Sequence, residues 1–234
     1  MALPKIDSPI FMLDLPSTKE TIKYRPFTVK EEKILLIASQ SEDEKEISSA
    51  IEQIINNCLQ SEISIASLTS YDIEYLFINL RAKSVNNVID LTLTDEEDGI
   101  EYPVQINLDD LKVKFNENHD CNIVLNAEVT LIMKDPSYNS IKKLSSNISQ
   151  DKMMNDVIVE SIDQILVGDD EVLTMKEHTK KEQQDFIDSF SSKNMRDIEK
   201  FFDTLPKVSH TVTYTREDGT EVTKLLEGMQ TFFT

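Results

Sequence analysis

Glycine is scarce, with four in 234 residues. A loop that cradles phosphate needs clustered glycines so that backbone amides can approach the anion. No such cluster exists, so nucleotide hydrolysis and dinucleotide binding lose their usual signature. Tryptophan is absent, and only two cysteines and three histidines occur. Cys58, Cys121, His119, His178 and His210 read as having no close pair among them and no zinc-ligand spacing. H-E-x-x-H, C-x-x-C and G-x-S-x-G are missing too. No apolar run approaches the ~20 residues of a bilayer span. The opening Met1-Ala2-Leu3-Pro4-Lys5 lacks the basic start and apolar stretch of a secretion signal. The expectation is a chain that stays in the cytoplasm, where reducing conditions argue against a Cys58–Cys121 disulfide.

Positive charge is also short, with 24 basic against 43 acidic residues and a net charge of −19. Such a surface repels phosphate backbones and anionic membranes, so no nucleic-acid or membrane partner is expected. It favours a basic or mixed-charge protein partner. An acidic DNA mimic would need carboxylates in ordered rows, whereas here the acids are scattered among lysines. Asp95 to Asp98 and Asp169-Asp170-Glu171 read as solvated loops, the former with spacing that matches no calcium loop.

What is present is a well-patterned α+β chain. Ile10 to Leu15, the turn Pro16-Ser17-Thr18-Lys19 and Thr21 to Phe27 read as an N-terminal β-hairpin. Thr28-Val29-Lys30-Glu31 is a capping box, in which the threonine hydroxyl accepts from the Glu31 amide while Glu31 reaches back. The helix it opens is apolar all round from Ile34 to Ala38, which predicts a buried helix. Ile47, Ala50, Ile51, Ile54, Ile55, Cys58 and Leu59 repeat at three-and-four spacing and predict a second helix. A third follows Thr69, with Asp72 three residues on and Arg81-Ala82-Lys83 at its end.

The pattern then alternates. Val88 to Thr94, Ile100 to Leu108, Leu111 to Phe115 and Ile123 to Met133 predict a central antiparallel β-meander of about four strands. Asp135-Pro136-Ser137 breaks it, giving a boundary between 1–135 and 136–234. Beyond lie a helix from Met153 through Ile162, Ile165 and Leu166 to Gly168, and two more carrying Phe186 to Phe190 and Met195 to Leu205. A closing hairpin runs from Val208 to Thr215 and from Glu221 to Leu226 around Glu217-Asp218-Gly219. The fold class is thus an N-terminal hairpin packed with three helices, a central meander and a helical C-terminal region ending in a hairpin.

No catalytic, cofactor-binding or metal site is assigned, because the three histidines read as solvated or edge-strand residues. The candidate partner contacts are Arg25, Pro26, Phe27, Lys30 and Glu31 at the strand-to-helix joint, Arg81 and Lys83 as a positive patch, and Phe232 and Phe233 near the C-terminus. Each has a structural alternative. Pro26 forces Arg25 into an extended conformation and ends the strand, Phe27 sits where a hydrophobic staple would fix the helix entry, and Lys30 to Lys33 form that helix's exposed start. Arg25, Arg81 and Lys83 can neutralise nearby acids or helix carbonyls. The Phe232-Phe233 pair is either an adhesive patch or a lid over the Phe201-Phe202 helix.

The stretch from Leu15 through Lys33, L-P-S-T-K-E-T-I-K-Y-R-P-F-T-V-K-E-E-K, resembles the opening of the baseplate protein family of T-even-like phages, whose members are described as baseplate hub subunits or hub assembly proteins. Arg25-Pro26-Phe27 to Lys33 is the specific part. Ile54 to Cys58, Asp72 to Phe77 with Leu80 to Ser84, and Phe201-Phe202 to Pro206 with Leu226-Glu227-Gly228 resemble the family in the same order. The resemblance implies a non-enzymatic tail protein that helps assemble the baseplate hub, with other hub or tail proteins as partners. It places the chain in the host cytoplasm during assembly, then in the virion baseplate if it is a permanent subunit. Some relatives carry a cysteine pair in the strand region. The hairpin from Val88 to Leu108 has none, so no metal is transferred. The alternatives are a transient chaperone for another hub or tape-measure protein, and an enzyme of unrecognised type.

Overall fold

The computed structural model describes residues 6–40, 44–144 and 150–228. In chain order the elements are β1 (Phe11–Asp14), β2 (Thr21–Tyr24), α1 (Val29–Gln40), α2 (Glu44–Cys58), α3 (Ser70–Ser84), β3 (Val88–Thr94), β4 (Glu101–Asn107) and β5 (Lys112–Lys114). Then come β6 (Asn122–Val124), β7 (Val129–Met133), α4 (Tyr138–Leu144), α5 (Gln150–Ser161), β8 (Ile162–Val167), β9 (Glu171–Leu173), α6 (Lys180–Asp188), α7 (Ser192–Asp203), β10 (Lys207–Thr215) and β11 (Glu221–Glu227). The class is α+β, with small antiparallel sheets.

These elements form two compact units. One comprises Met1–Ile65, Tyr71–Lys114 and Lys207–Thr234, the other Ala66–Ser70 and Phe115–Pro206. The boundary expected at 135/136 falls inside the second unit. The reason is pairing: β10 joins β5 as well as β11, so the last hairpin returns to the first unit.

In the first unit the β1–β2 hairpin forms as read, with Phe11 opposite Tyr24 and Ile22 and Tyr24 turned inward. Its turn is held by α3, where buried Asp72 accepts from the Ser17 amide at 3.0 Å and from the Ser17 hydroxyl. The hairpin is also fastened beyond the end of α2. The Arg25 amide donates to the Cys58 carbonyl at 2.9 Å, and the Gln60 amide donates to the Lys23 carbonyl at 2.8 Å. Ala50, Ile51, Ile54, Ile55 and Cys58 line the buried side of α2, as the spacing foretold. Burial pushes the Cys58 thiol up to about 11, in keeping with a small packed hydrophobe. Both cysteines are free.

The expected four-strand meander is dealt out among three sheets. β3 and β4 form a hairpin on their own, β5 pairs with β10, and the stretch from Ile123 to Met133 is two strands, β6 and β7. The first unit's β core contains Ile89, Leu91, Val104, Ile106, Val208 and Val212. The Asp95 to Asp98 turn is more than solvated loop. Asp95 is buried and clasped by Arg216, with Oδ2 2.9 Å from Nε and Oδ1 3.0 Å from Nη2, while the Tyr214 hydroxyl donates to Oδ2 at 2.6 Å. The Glu97 amide completes the set at 2.8 Å. With both oxygens engaged by protein donors, the carboxyl is held far below the usual range, chiefly by Arg216 and next by Tyr214.

The second unit carries the sheet β6-β7-β8-β9. Here the expected helix through Leu166 is corrected: α5 ends at Ser161, and Ile162–Val167 is a strand paired with β7 and β9. Ile162 and Ile165 still reach the core, so their burial was legible although their element was not. Gly168, at φ +61°, turns the chain into β9, whose first residue is Glu171 from the supposed acidic loop. Thr179 and Ser191 open α6 and α7 with reciprocal capping boxes.

Candidate partner interface

The strand-to-helix joint is built around one ion pair. Arg25 Nη2 lies 3.1 Å from Glu31 Oε1 and donates to the Asn57 carbonyl at 3.0 Å, while Nη1 donates to the Pro26 carbonyl at 2.9 Å. Glu31 reaches back to accept from the Thr28 amide at 2.8 Å, as expected of a capping box. The Thr28 hydroxyl, expected to accept from the Glu31 amide, donates to the same carboxylate at 2.6 Å. Burial alone raises the pKa of Glu31; Arg25 and Thr28 overcome it and hold the group at about 2. Phe27 is buried and its amide donates to Ser84 Oγ at 2.9 Å, tying the joint to the end of α3.

This geometry reassigns several candidates. Glu31 is 2% exposed and belongs to the fold, not to an exposed helix start. Arg25 is neutralised within the joint. Lys83 is exposed and pairs with Asp109 at 3.1 Å, and Arg81 is half-buried. Lys30 is exposed, and Pro26 is half-buried. Phe232 and Phe233 lie outside the described residues.

The joint instead fixes the roll of α1. Glu31 and Ala38 face inward, with Ile34 and Leu35 half-buried beside them. Half a turn away, Val29 is 64%, Leu36 58% and Ile37 67% exposed. The helix foreseen as buried all round thus turns outward a face on which Val29, Leu36 and Ile37 surround exposed Lys33, with exposed Lys30 at one edge and exposed Glu32 at the other. The signal was present in the sequence: once Glu31 is committed to the cap, positions 29, 36 and 37 must lie on the opposite side at 100° per residue.

The second unit holds the arrangement most like a reactive centre. His119 and Cys121, two residues apart, do form a close pair: Nε2 is 3.7 Å from Sγ and 3.7 Å from Asp135 Oδ1. The ring is neither solvated nor on an edge strand; it packs on Phe201 with centroids 4.9 Å apart. His119 Nδ1 lies 3.0 Å from the Thr204 hydroxyl, which is 2.7 Å from the Lys200 carbonyl. Burial, then the charges of Asp135 and Asp120, push the Cys121 thiol up, opposite to what a nucleophilic thiolate needs. Among the described residues no three metal-ligating side chains converge. An apolar cavity of about 260 Å³ under Val129, Ile165, Leu173 and Phe186 offers room for a hydrophobic group; His178 and Glu182 also line it, and the Glu182 carboxylate is engaged by the Thr179 amide and hydroxyl in the capping box.

The model of the family described as "T4 bacteriophage base plate protein" matches residues 8–234. Neither curated proteins nor solved structures yield a match. The match extends over both compact units and every described element, and on that extent the chain belongs to the T4 bacteriophage base plate protein family.

Proposed function

We propose that this baseplate protein takes part in assembling the central hub, through protein–protein contacts and without a reaction of its own. One observation carries the reading: α1 is anchored at its start by the ion pair of Arg25 with buried Glu31, yet presents Val29, Leu36 and Ile37 to solvent. A folded chain that holds an aliphatic helix face outward exposes apolar area that contact with another protein would cover. Lys33 within this face and Lys30 at its edge suit a partner whose apolar strip carries a carboxylate.

The test is a double substitution, Leu36→Glu with Ile37→Glu. Because both side chains are exposed, the melting temperature should stay within about 2 °C of the parent. Recovery of hub proteins with the tagged chain from infected cells should fall at least tenfold. Unchanged recovery would remove α1 as the contact. Mass spectrometry of purified virions then separates a permanent subunit, present at constant stoichiometry, from a transient chaperone that leaves the particle.

A further inference from the structure

β10 carries an incompletely paired edge. The turn hydrogen bonds fix which of its backbone groups are engaged. The Arg216 amide donates to the Thr220 carbonyl at 2.9 Å, and the Gly228 amide donates to the Val208 carbonyl at 3.0 Å. In the β10–β11 register the mutually bonded residues of β10 are therefore the even-numbered ones, and odd-numbered residues direct N–H and C=O to the other edge. On that edge β5 covers only Lys207 to Ser209. Thr211, Thr213 and Thr215 have no ladder partner among the described residues.

That open stretch faces β4 across a slot of about 500 Å³, lined by Tyr102 to Gln105 and His210 to Thr215. Bonds from the Asp95 amide to the Ile100 carbonyl and from the Leu108 amide to the Asn87 carbonyl fix the β3–β4 ladder in the same way. They turn the backbone of Pro103 and Gln105 towards the slot. Pro103 has no N–H to offer, a common guard against strand addition. The facing stretch of β10 carries neither proline nor charge. The slot is closed at one end by the β5 ladder and at the other by the stacked rings of Tyr102 and Tyr214, 4.9 Å between centroids.

Beside the β5 end stand three exposed lysines on one face. Lys207 is directly opposite Lys114, and Lys112 is opposite Ser209. None of the three makes an ion pair among the described residues. Like charges placed opposite each other destabilise a sheet, and here they occur in a chain of net charge −19.

We propose that the open edge of β10 is an acceptor for one extended segment of another protein, acidic at the end that meets Lys112, Lys114 and Lys207. The unpaired backbone dictates a strand, and the lysines dictate its charge. β4 standing across the slot bars the sheet edge of a second copy, while a single chain enters from the outer face. Thr211 to Thr215 spans about 16 Å, so the segment is short. The site is separate from the outward face of α1 and rests on the proposed function only in that the chain works by contact.

The probe is a synthetic peptide, Val-Thr-Val-Thr-Val-Glu-Asp-Glu, whose acidic C-terminal end reaches the lysines when it pairs antiparallel. Titrated into the ¹⁵N-labelled full chain, it should shift the amide signals of Thr211, Thr213 and Thr215. A counterpart ending Lys-Arg-Lys should bind at least tenfold more weakly, and Lys207→Glu should weaken the acidic peptide at least fivefold. Thr213→Pro removes an edge donor and should abolish binding. The same peptide N-methylated at alternate residues provides that test without altering the protein. The proposal is overturned by absence of shifts at millimolar peptide, by equal binding of the two peptides, by undiminished binding of the methylated one, or by self-association that shifts the same amides without any peptide.

Discussion

Glu31 and Asp95 each anchor a joint through a buried carboxylate, Glu31 at the local strand-to-helix turn and Asp95 across the chain to Arg216, and both have folded-state pKa values lowered by an arginine and by hydroxyl donors. A lowered folded value means that the unfolded chain takes up protons first as acid is added. For Glu31 the stabilisation is fully present above the ordinary value of 4.5 and is lost as pH falls towards about 2. Asp95 acts in the same direction over an acidic window beginning near its ordinary value of 3.8. The melting temperature should therefore be nearly flat from pH 7 to about 5 and drop steeply below 4. Glu31→Gln should start lower at neutral pH and fall less between pH 4.5 and 2. A parallel fall in the two proteins would show that the joint contributes nothing to acid stability. Asp95→Asn leaves the partly buried Arg216 with only the exposed Glu97 as counter-charge and should lower the melting temperature by roughly 3–6 °C at pH 7. The sequence disclosed half of this. Glu31 was marked by its spacing from Thr28, but Arg216 is far from Asp95 in the chain, and no local pattern could pair them.

Among the elements, α2, α3, the hairpins and the capped helices could be read because their signals are local: three-and-four spacing, alternation, and Ser or Thr three residues before Glu or Asn. β8 could not. Ile162, Ile165 and Leu166 continue the periodicity of α5, and only pairing with β7 and β9 selects the strand. The same tertiary choice turns Gly168 into a structural requirement, since its φ of +61° carries the chain from β8 into β9 and its amide donates to the Glu128 carbonyl at 2.7 Å. A Cβ at this position would meet nothing within 4 Å. The penalty for Gly168→Ala is accordingly conformational, about 1 kcal/mol, or a melting temperature lower by about 2–4 °C. Gly168→Asn should cost less, because asparagine tolerates the left-handed region. Equal melting of the alanine variant and the parent would mean that the β8–β9 turn relaxes freely.

At the scale of the molecule, most of the second unit, Phe115–Pro206, is inserted into the first, and the short Ala66–Ser70 segment joins it from earlier in the chain, with the Tyr138 amide donating to the Leu68 carbonyl at 2.7 Å. Nothing between Phe115 and Pro206 announces this locally, because the evidence lies in a strand that returns after the insertion to pair with the one before it. The register places Lys114 opposite Lys207, so the chain leaves the first unit and re-enters it across one antiparallel pair, with Cα atoms about 5 Å apart. Each unit has its own hydrophobic core, with Ile123, Leu131, Ile158, Ile165, Ile198 and Phe201 in the second. Adjacent entry and exit points together with separate cores are what a self-sufficient inserted unit needs. Residues 115–206 expressed alone should therefore give dispersed amide spectra and a cooperative thermal transition. The complementary chain, with 115–206 replaced by a short Gly-Ser connection between Lys114 and Lys207, should retain the dispersed amide signals of β10 and β11. Collapsed spectra or a broad, non-cooperative melt from the 115–206 piece would show that its core depends on the first unit. In that case the single match over residues 8–234 would describe one folding body in place of two.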